Sequence, residues 1–449
     1  MALRLLKANL GEYEEYAQIM EFALRQPLSE KLEPILKSSP RILGISVSIW
    51  NHKATLELLK ALHKAWDESN SAKPEIILGG PEASHLPETA ELFLYADWVV
   101  CGEGEEVFKE LCALLLKNES VAGRLSFLPM VKKVSGKRIE TKDADIKHID
   151  SGYRLYTDED LKRKLIYIEA GRGCPFGCAF SQSAHSDVRD FPLEVFFNDI
   201  EMLLNRGAKA FKMLDRTFNL NIERAEKIME FFLSRIEPPC YIHFEMIPSR
   251  FPPELREMAK RFPPETLRIE MGIQTFNPRV AKTIGRRSDP ERELDTLRFL
   301  KDETKAIVHA DLIAGLPEEN MLSFGAGFDR LWLTRPTEIQ VGILKRLYGT
   351  TLFRHDNMRF SDEPPYEVLE TASLSVNDLE RIKNFARFWE LIVNRDAFPD
   401  LAEKIFPQGK PLFFDFMELS DKLREHFGRN WGIDRKELRA FLEAYTPRN

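Results

Sequence analysis

The chain has 449 residues, 43% hydrophobic, 30% charged and 10% aromatic, a length that implies two or three domains at ~150 residues each and a composition that excludes a disordered polyelectrolyte, a fibrous repeat or a linker protein. Lys plus Arg number 64 against 71 Asp plus Glu, a net charge of −7, so there is no basic footprint for bulk binding of nucleic acid or of an anionic membrane. No apolar run approaches about 18 residues, and charge appears by Arg4, which predicts neither a membrane span nor a secretory signal and points to a cytoplasmic address.

In chain order, the first ~135 residues alternate short apolar runs with helical patterns, as parallel strands joined by crossover helices do. Strands are expected at Leu3 to Ala8, Ile42 to Ile49, Glu75 to Leu78 and Trp98 to Cys101, with a helix over Ala54 to Trp66, where Leu56, Leu59, Leu62 and Trp66 recur at helical spacing. Three strands end in polar or glycine-rich turns: Ser46-Val-Ser48-Ile-Trp50-Asn51, Gly79-Gly80-Pro81-Glu82 and Gly102-Glu103-Gly104. An open α/β sheet binds its ligand at such ends; each turn is also what a tight strand-to-helix connection needs, and only their coincidence favours a cofactor.

A Lys- and Asp-rich connection is expected over 136–160. Six further apolar runs follow, Leu165 to Glu169, Ala210 to Leu214, Tyr241 to Ile247, Leu267 to Ile273, Ile307 to Ile313 and Glu338 to Leu344, separated by amphipathic stretches such as Glu223 to Leu233. Six strand-helix units fit a partial (β/α)6 TIM-like barrel over 161–360, with reacting groups on the loops after the strands. From Ser361 to 449 the pattern turns helical, Ser375 and Asp378 forming a capping box for the helix that begins at Leu379 and Ile433 to Tyr445 forming another; this is read as a helical cap, its aromatics as packing.

Five cysteines are too few for a disulfide scaffold, and the single close pair, Cys174 and Cys178, is read as metal chemistry. The pair follows the first barrel strand in Arg172-Gly-Cys174-Pro-Phe-Gly-Cys178-Ala-Phe180-Ser181. A Cys-x3-Cys-x2-Cys loop here would hold three irons of a [4Fe-4S] cluster through thiolates and leave the fourth open; the third position is Ser181. Zinc would need two more ligands, and no second Cys or His pair has the spacing.

On these residues the chain resembles the cobalamin-binding radical S-adenosylmethionine (SAM) enzymes over roughly residues 1 to 350. The matching runs are Arg172 to Cys178, Asp215-Arg-Thr-Phe-Asn219, Gly272-Ile-Gln274-Thr275 and Asp311 to Pro317, together with the two glycine turns of the N-terminal region. The resemblance implies a Rossmann-like cobalamin domain over 1–135, a cluster bound by positions 174, 178 and 181, and SAM on the open iron. It implies that Phe180 packs on the adenine, that Gln274 lies near the ribose or methionine, and that Asp215 and Asn219 form the amino-group turn. Glu245 and Glu270 are inward-facing candidates for SAM or substrate contact; the other reading pairs them with Lys212, Arg268 or Lys345. It further implies methyl transfer to an unactivated or poorly nucleophilic atom of a small molecule or peptide, with an external electron donor.

Two departures stand beside the resemblance. The Asp-x-His-x-x-Gly run that supplies a histidine to cobalt is absent, His52 lying in Trp-Asn-His-Lys-Ala. Ser181 is consistent with an introduced substitution, with natural loss of the thiol, or with another group such as His185 completing the site. A relative that binds cobalamin or SAM as a sensor or partner protein, without radical chemistry, is the alternative function.

Overall fold

The computed structural model describes residues 1–354, 357–395, 397–406 and 409–445. The N-terminal sheet contains β1 (Ile42–Ser46), β2 (Glu75–Gly79), β3 (Trp98–Cys101), β4 (Val131–Ser135) and β5 (Arg138–Thr141), in the order β1-β2-β3-β5-β4. All pairs are parallel except β4 with β5. Because β5 pairs with β3, the first domain runs past the expected end at 135 and takes in the start of the expected connection.

The expected strand at Leu3 to Ala8 is instead a helix, Ala2–Ala8. Ala, Leu, Lys and Arg are strong helix formers and the run holds no β-branched residue; helical spacing buries Arg4, Leu5 and Ala8 together. Arg4 donates to Glu21 at 2.9 Å and Asp160 at 2.8 Å, which ties this helix to the entry of the second domain. The helix read over Ala54 to Trp66 spans His52–Ser69 and buries Leu58, Leu59, Leu62 and Trp66.

The second domain begins with β6 (Ile166–Ile168), followed by the antiparallel hairpin β7 (Gly171–Cys174) and β8 (Ser186–Asp190). Its remaining strands are β9 (Ala210–Met213), β10 (Tyr241–Glu245), β11 (Leu267–Gln274), β12 (Ile307–Ala314) and β13 (Glu338–Ile343). The six parallel strands run in sequence order, β6-β9-β10-β11-β12-β13. Crossovers through helices place successive parallel strands side by side, giving the (β/α)6 partial barrel expected.

Beyond the barrel strands the chain is helical with one addition: β14 (Met358–Phe360) and β15 (Val368–Thr371) pair antiparallel, and β15 lies past Ser361, where strand signals were expected to have ended. Ser375 caps the helix Val376–Trp389 in a capping box with Asp378. The cap's aromatics pack as expected. Phe328, on a barrel helix, meets Phe385, Trp389 and Phe413 with ring centroids 4.8 to 5.7 Å apart, so barrel and cap share one hydrophobic core.

Candidate active site between the two domains

The C-terminal ends of β1, β2 and β3 lie on one edge, and their turns are stitched together. Val47 N donates to Gly79 O at 2.8 Å, Glu82 N to Val47 O at 3.1 Å and Gly102 N to Ser84 Oγ at 3.1 Å. Asn51 pins the first turn, accepting from Ser48 N and donating to Ser46 O, which leaves Ser48 buried and Trp50 69% exposed. Gly80 has φ +94, and a Cβ there would stand 2.6 Å from Val47 O, so only glycine lets the first two turns touch. Pro81 opens the short helix after Gly80, and Gly104 caps the helix Glu105–Leu116.

Two residues expected to contact a cofactor have other employment. Glu82 is 2% exposed and accepts from His52 Nδ1 at 2.9 Å and from Tyr366 Oη at 3.0 Å. Glu103 accepts the Arg189 fork, lies 3.1 Å from Arg172 and accepts from Ala144 N at 2.8 Å. Neither carboxylate is free for a ligand. Glu82 joins the first domain to the segment after the barrel and Glu103 joins it to the second domain, where the arginines that hold Glu103 come from the two strands of the hairpin carrying Cys174.

That hairpin displays the cysteine loop. Gly173, at φ +100, passes so close to β8 that a Cβ would overlap Asp187 O at 2.0 Å. Arg172 holds Glu169 at 2.9 Å, Glu105 at 2.7 Å and Glu103, fixing the backbone just before Cys174. Cys174 and Cys178 are half-buried thiols, and burial pushes the Cys174 thiol up. Ser181 N donates to Cys178 O at 3.0 Å, Ala179 N to Ile284 O and Leu352 N to Ala179 O, both at 2.9 Å, so β11's following loop and the segment after β13 clamp the turn. His185 lies against Gly177 in the same loop.

The donor set therefore comprises two thiols and one hydroxyl, and among the described residues no group of three His, Cys, Asp or Glu side chains could hold a metal ion. It lacks one of the three thiolates a [4Fe-4S] cluster takes from such a loop, and a neutral hydroxyl is a poorer ligand for iron. The cobalamin edge fits its group better: three abutting turns, no bulky side chain on the glycines, and an exposed indole.

Phe180 is half-buried against the barrel core. Gln274 ends β11 at a bulge with φ +69, its amide folded over Gly272 and its Oε1 buried without a partner. Asp215 is half-buried, accepts from Ala170 N at 2.9 Å, and desolvation pushes its carboxyl up to about 8. Asn219 is 0% exposed; its amide accepts from Ile247 N at 2.7 Å and donates to Ile247 O and Arg250 O. In place of the expected amino-group contact, Asn219 spends its amide on the turn after β10. Glu270 pairs with Lys212 at 2.7 Å, and the ion-pair partner of Glu245 is Arg216, 3.6 Å away.

Three contributors were not read as site residues from the sequence. Glu319 is 1% exposed and accepts from Thr275 Oγ1 at 2.8 Å, holding the Gln274 turn. Arg189 and Tyr366 bridge the domains over 86 and 284 residues of sequence, which no local pattern reports.

Comparison with known proteins agrees with this geometry. Residues 1–112 match the B12 binding domain, residues 168–326 the radical SAM superfamily, and residues 355–443 a family described as a protein of unknown function, DUF4080. The chain thus carries a B12-binding domain followed by a radical SAM domain, the architecture of the cobalamin-binding radical SAM proteins. The chain is 28% identical over 340 residues, 71% of its length and 70% of the relative's, to an uncharacterized methyltransferase of Pyrococcus horikoshii. It is 23% identical to the cobalamin-dependent radical SAM methyltransferase TokK of Streptomyces tokunonensis, over 73% of this chain and 50% of that one. Among solved structures, the fold is similar to that of TsrM from Kitasatospora setae with cobalamin and a [4Fe-4S] cluster bound (TM-score 0.59, 14% identity, 95% and 96% of the two chains). It is also similar to that of OxsB (TM-score 0.64, 15% identity, 94% and 72%). The two domains imply cobalamin, SAM and an iron-sulfur cluster. Among the described residues no helix is long and apolar enough to cross a membrane.

Proposed function

We propose that this chain is a cobalamin-dependent radical SAM methyltransferase acting on an unactivated or poorly nucleophilic atom of a small molecule or peptide, in the cytoplasm and with an external one-electron donor. The observation that carries the reading is the joint between the domains: Arg172 and Arg189, on the hairpin with the cysteine loop, close on Glu103 in the third turn of the B12-binding domain. A cobalamin on the turn edge would then face the barrel mouth. Bound there, cobalamin supplies a carrier for the methyl group. The chain's own part is placement. The turns Ser46–Asn51, Gly79–Pro81 and Gly102–Gly104 would cradle the corrin, while Phe180 and Gln274 line the barrel mouth for SAM.

Anaerobic reconstitution with iron, sulfide and hydroxocobalamin tests the reading by absorbance and electron paramagnetic resonance. The protein should bind hydroxocobalamin tighter than ~100 μM, about 5.5 kcal/mol, and Ser181→Cys should raise iron and sulfide toward about four each per chain. Equal, full occupancy in both forms would show that another ligand completes the loop. Ser181 is also the one observation that favours a cofactor-binding relative without radical chemistry. A Ser181→Cys protein that fills with cluster and cobalamin yet makes no 5′-deoxyadenosine or S-adenosylhomocysteine from SAM would establish that second reading.

A further inference from the structure

The segment that follows β13, Leu344 to Leu352, is pinned at both ends by buried leucines, Leu344 being 2% and Leu352 1% exposed. Between them Thr350 closes a turn, its Oγ1 donating to Leu347 O at 2.8 Å, and Gly349 takes φ +86. The turn faces two ways. On one side Gln182 Nε2 donates to Tyr348 O at 2.8 Å and Leu352 N to Ala179 O at 2.9 Å. Ala179 and Gln182 bracket Phe180 and Ser181, so the segment grips the cysteine loop on both sides of its third ligand position.

On the other side the segment meets the B12-binding domain. Gly349 lies so close to His85 that a Cβ would stand 2.4 Å from Nδ1, and His85 ends the short helix Pro81–His85 that leaves the second glycine turn. Tyr348 packs on the core of the N-terminal sheet. Its ring also meets Tyr366, whose hydroxyl donates to Glu82 in that same short helix.

The cysteine loop is therefore tied to two different turns of the corrin cradle. Arg172, before Cys174, reaches Glu103 in the third turn, and the 348–352 segment, acting after Cys178, reaches the second. With two thiols and one hydroxyl as its donors, the loop depends on these ties for its order. Segments held by few hydrogen bonds open locally at low free energy, and a ligand that stiffens one end of such a tie suppresses opening at the other. A corrin seated on Gly80 and Pro81 would restrain the helix that carries both Glu82 and His85.

We propose that residues 348–352 are positioning residues that couple the corrin cradle to the cysteine loop, so that a bound cobalamin orders the loop, an inference that rests on the cradle read above. Hydrogen exchange followed by mass spectrometry tests it on the full-length protein. The probe is methylcobalamin in the dark, whose methyl group occupies the axial position that a loop thiol would otherwise take. In the unmodified protein it should slow exchange in peptides spanning Phe176 to His185 by at least about fivefold, the lower end of ordinary coupling between sites. Gln182→Leu cuts the segment from the loop, and Gly349→Ala wedges it off His85. Each should reduce the loop's protection below about twofold, while peptides covering Gly79, Gly80 and Gly102 to Gly104 stay protected.

Loop protection that survives Gln182→Leu would mean that the corrin shields the loop directly, and it overturns the coupling, as does protection confined to the glycine turns. Circular dichroism checks folding, and should Gly349→Ala not fold, Gln182→Leu alone decides. A protein that retains no corrin after gel filtration refutes the cradle reading and the coupling with it. Corrin bound without loop protection is a separate outcome, which refutes the coupling alone.

Discussion

The acidic residues at the joint between the domains and those inside the barrel look alike in sequence and behave oppositely in the structure. At the joint, Glu103, Glu105 and Glu169 close on Arg172, Glu103 also takes Arg189, and Glu82 takes His52 and Tyr366. On β12 and the loop after it, Asp311 is half-buried and Glu319 buried, neither with an ion-pair partner, and desolvation pushes them up to about 8 and about 7. Paired carboxylates make architecture; unpaired ones are where a protein keeps capacity for a ligand. An acid on a glycine-rich turn is therefore weak evidence for ligand binding until its partners are known.

The sharpest way to break the contrast is to remove the arginine that three of the joint's carboxylates share. Arg172→Met leaves three carboxylates facing one another with side chains only 8 to 22% exposed, and removing one partner of a buried ion pair costs about 3–5 kcal/mol. Urea denaturation should show a loss in that range, with Arg172→Lys recovering part of it, because an ammonium restores charge but not the fork. A loss below about 1 kcal/mol would mean that the joint is loosely held. Cobalamin affinity should fall with it, since Glu103 and Glu105 flank Gly104 in the third turn.

The two sets of acids should also give stability opposite pH signs. Glu103 lies below its ordinary 4.5 because the Arg189 and Arg172 guanidiniums outweigh its burial, and Glu21 is held down at about 2, chiefly by its hydrogen bond to Arg4. Their contribution is present above about pH 4.5 and is lost as pH falls through the folded values. Asp311 and Asp215 lie far above 3.8, raised chiefly by burial. They bind protons more tightly folded than unfolded, so their contribution is complete below about pH 4 and is lost as pH rises toward 8. The ligand-free protein should therefore lose about 2–5 kcal/mol between pH 5 and 8. Asp311→Asn and Asp215→Asn should each flatten that slope, and a slope unchanged in both variants would contradict the burial argument.

Much of the fold was legible because periodicity carries it. All six barrel strands fall on the apolar runs read for them, and Ser375 and Asp378 form the capping box that their spacing implies. What failed did so for nameable reasons. Leu3 to Ala8 is a short apolar run, and periodicity does not separate a strand from a helix at that length. The β5 pairing and the β14–β15 hairpin rest on few residues and little hydrophobic signal. In the site, the cysteine loop and the Gln274 turn were legible from local motifs. The partners of Asp215, Asn219, Glu82 and Glu103 were not legible, because they are backbone groups or side chains 28 to 284 residues away.

The smallest expected effect tests how the joint divides its work. Tyr366, 3% exposed, donates to Glu82 at 3.0 Å, and its ring meets Tyr348 edge-on with centroids 5.3 Å apart. Tyr366→Phe keeps the ring, the edge contact and nearly all the volume, and removes one donor. Glu82 remains satisfied by His52 at 2.9 Å, so no carboxylate oxygen is stranded with its charge unanswered, and the cost should be that of one hydrogen bond to a charged group, about 1–2 kcal/mol. Glu82→Gln disturbs the same trio more, because His52 loses its acceptor charge while Tyr366 keeps only an amide. If Tyr366→Phe cost as much in urea denaturation as Arg172→Met, the hydroxyl and not the arginine fork would be what holds the two domains in register.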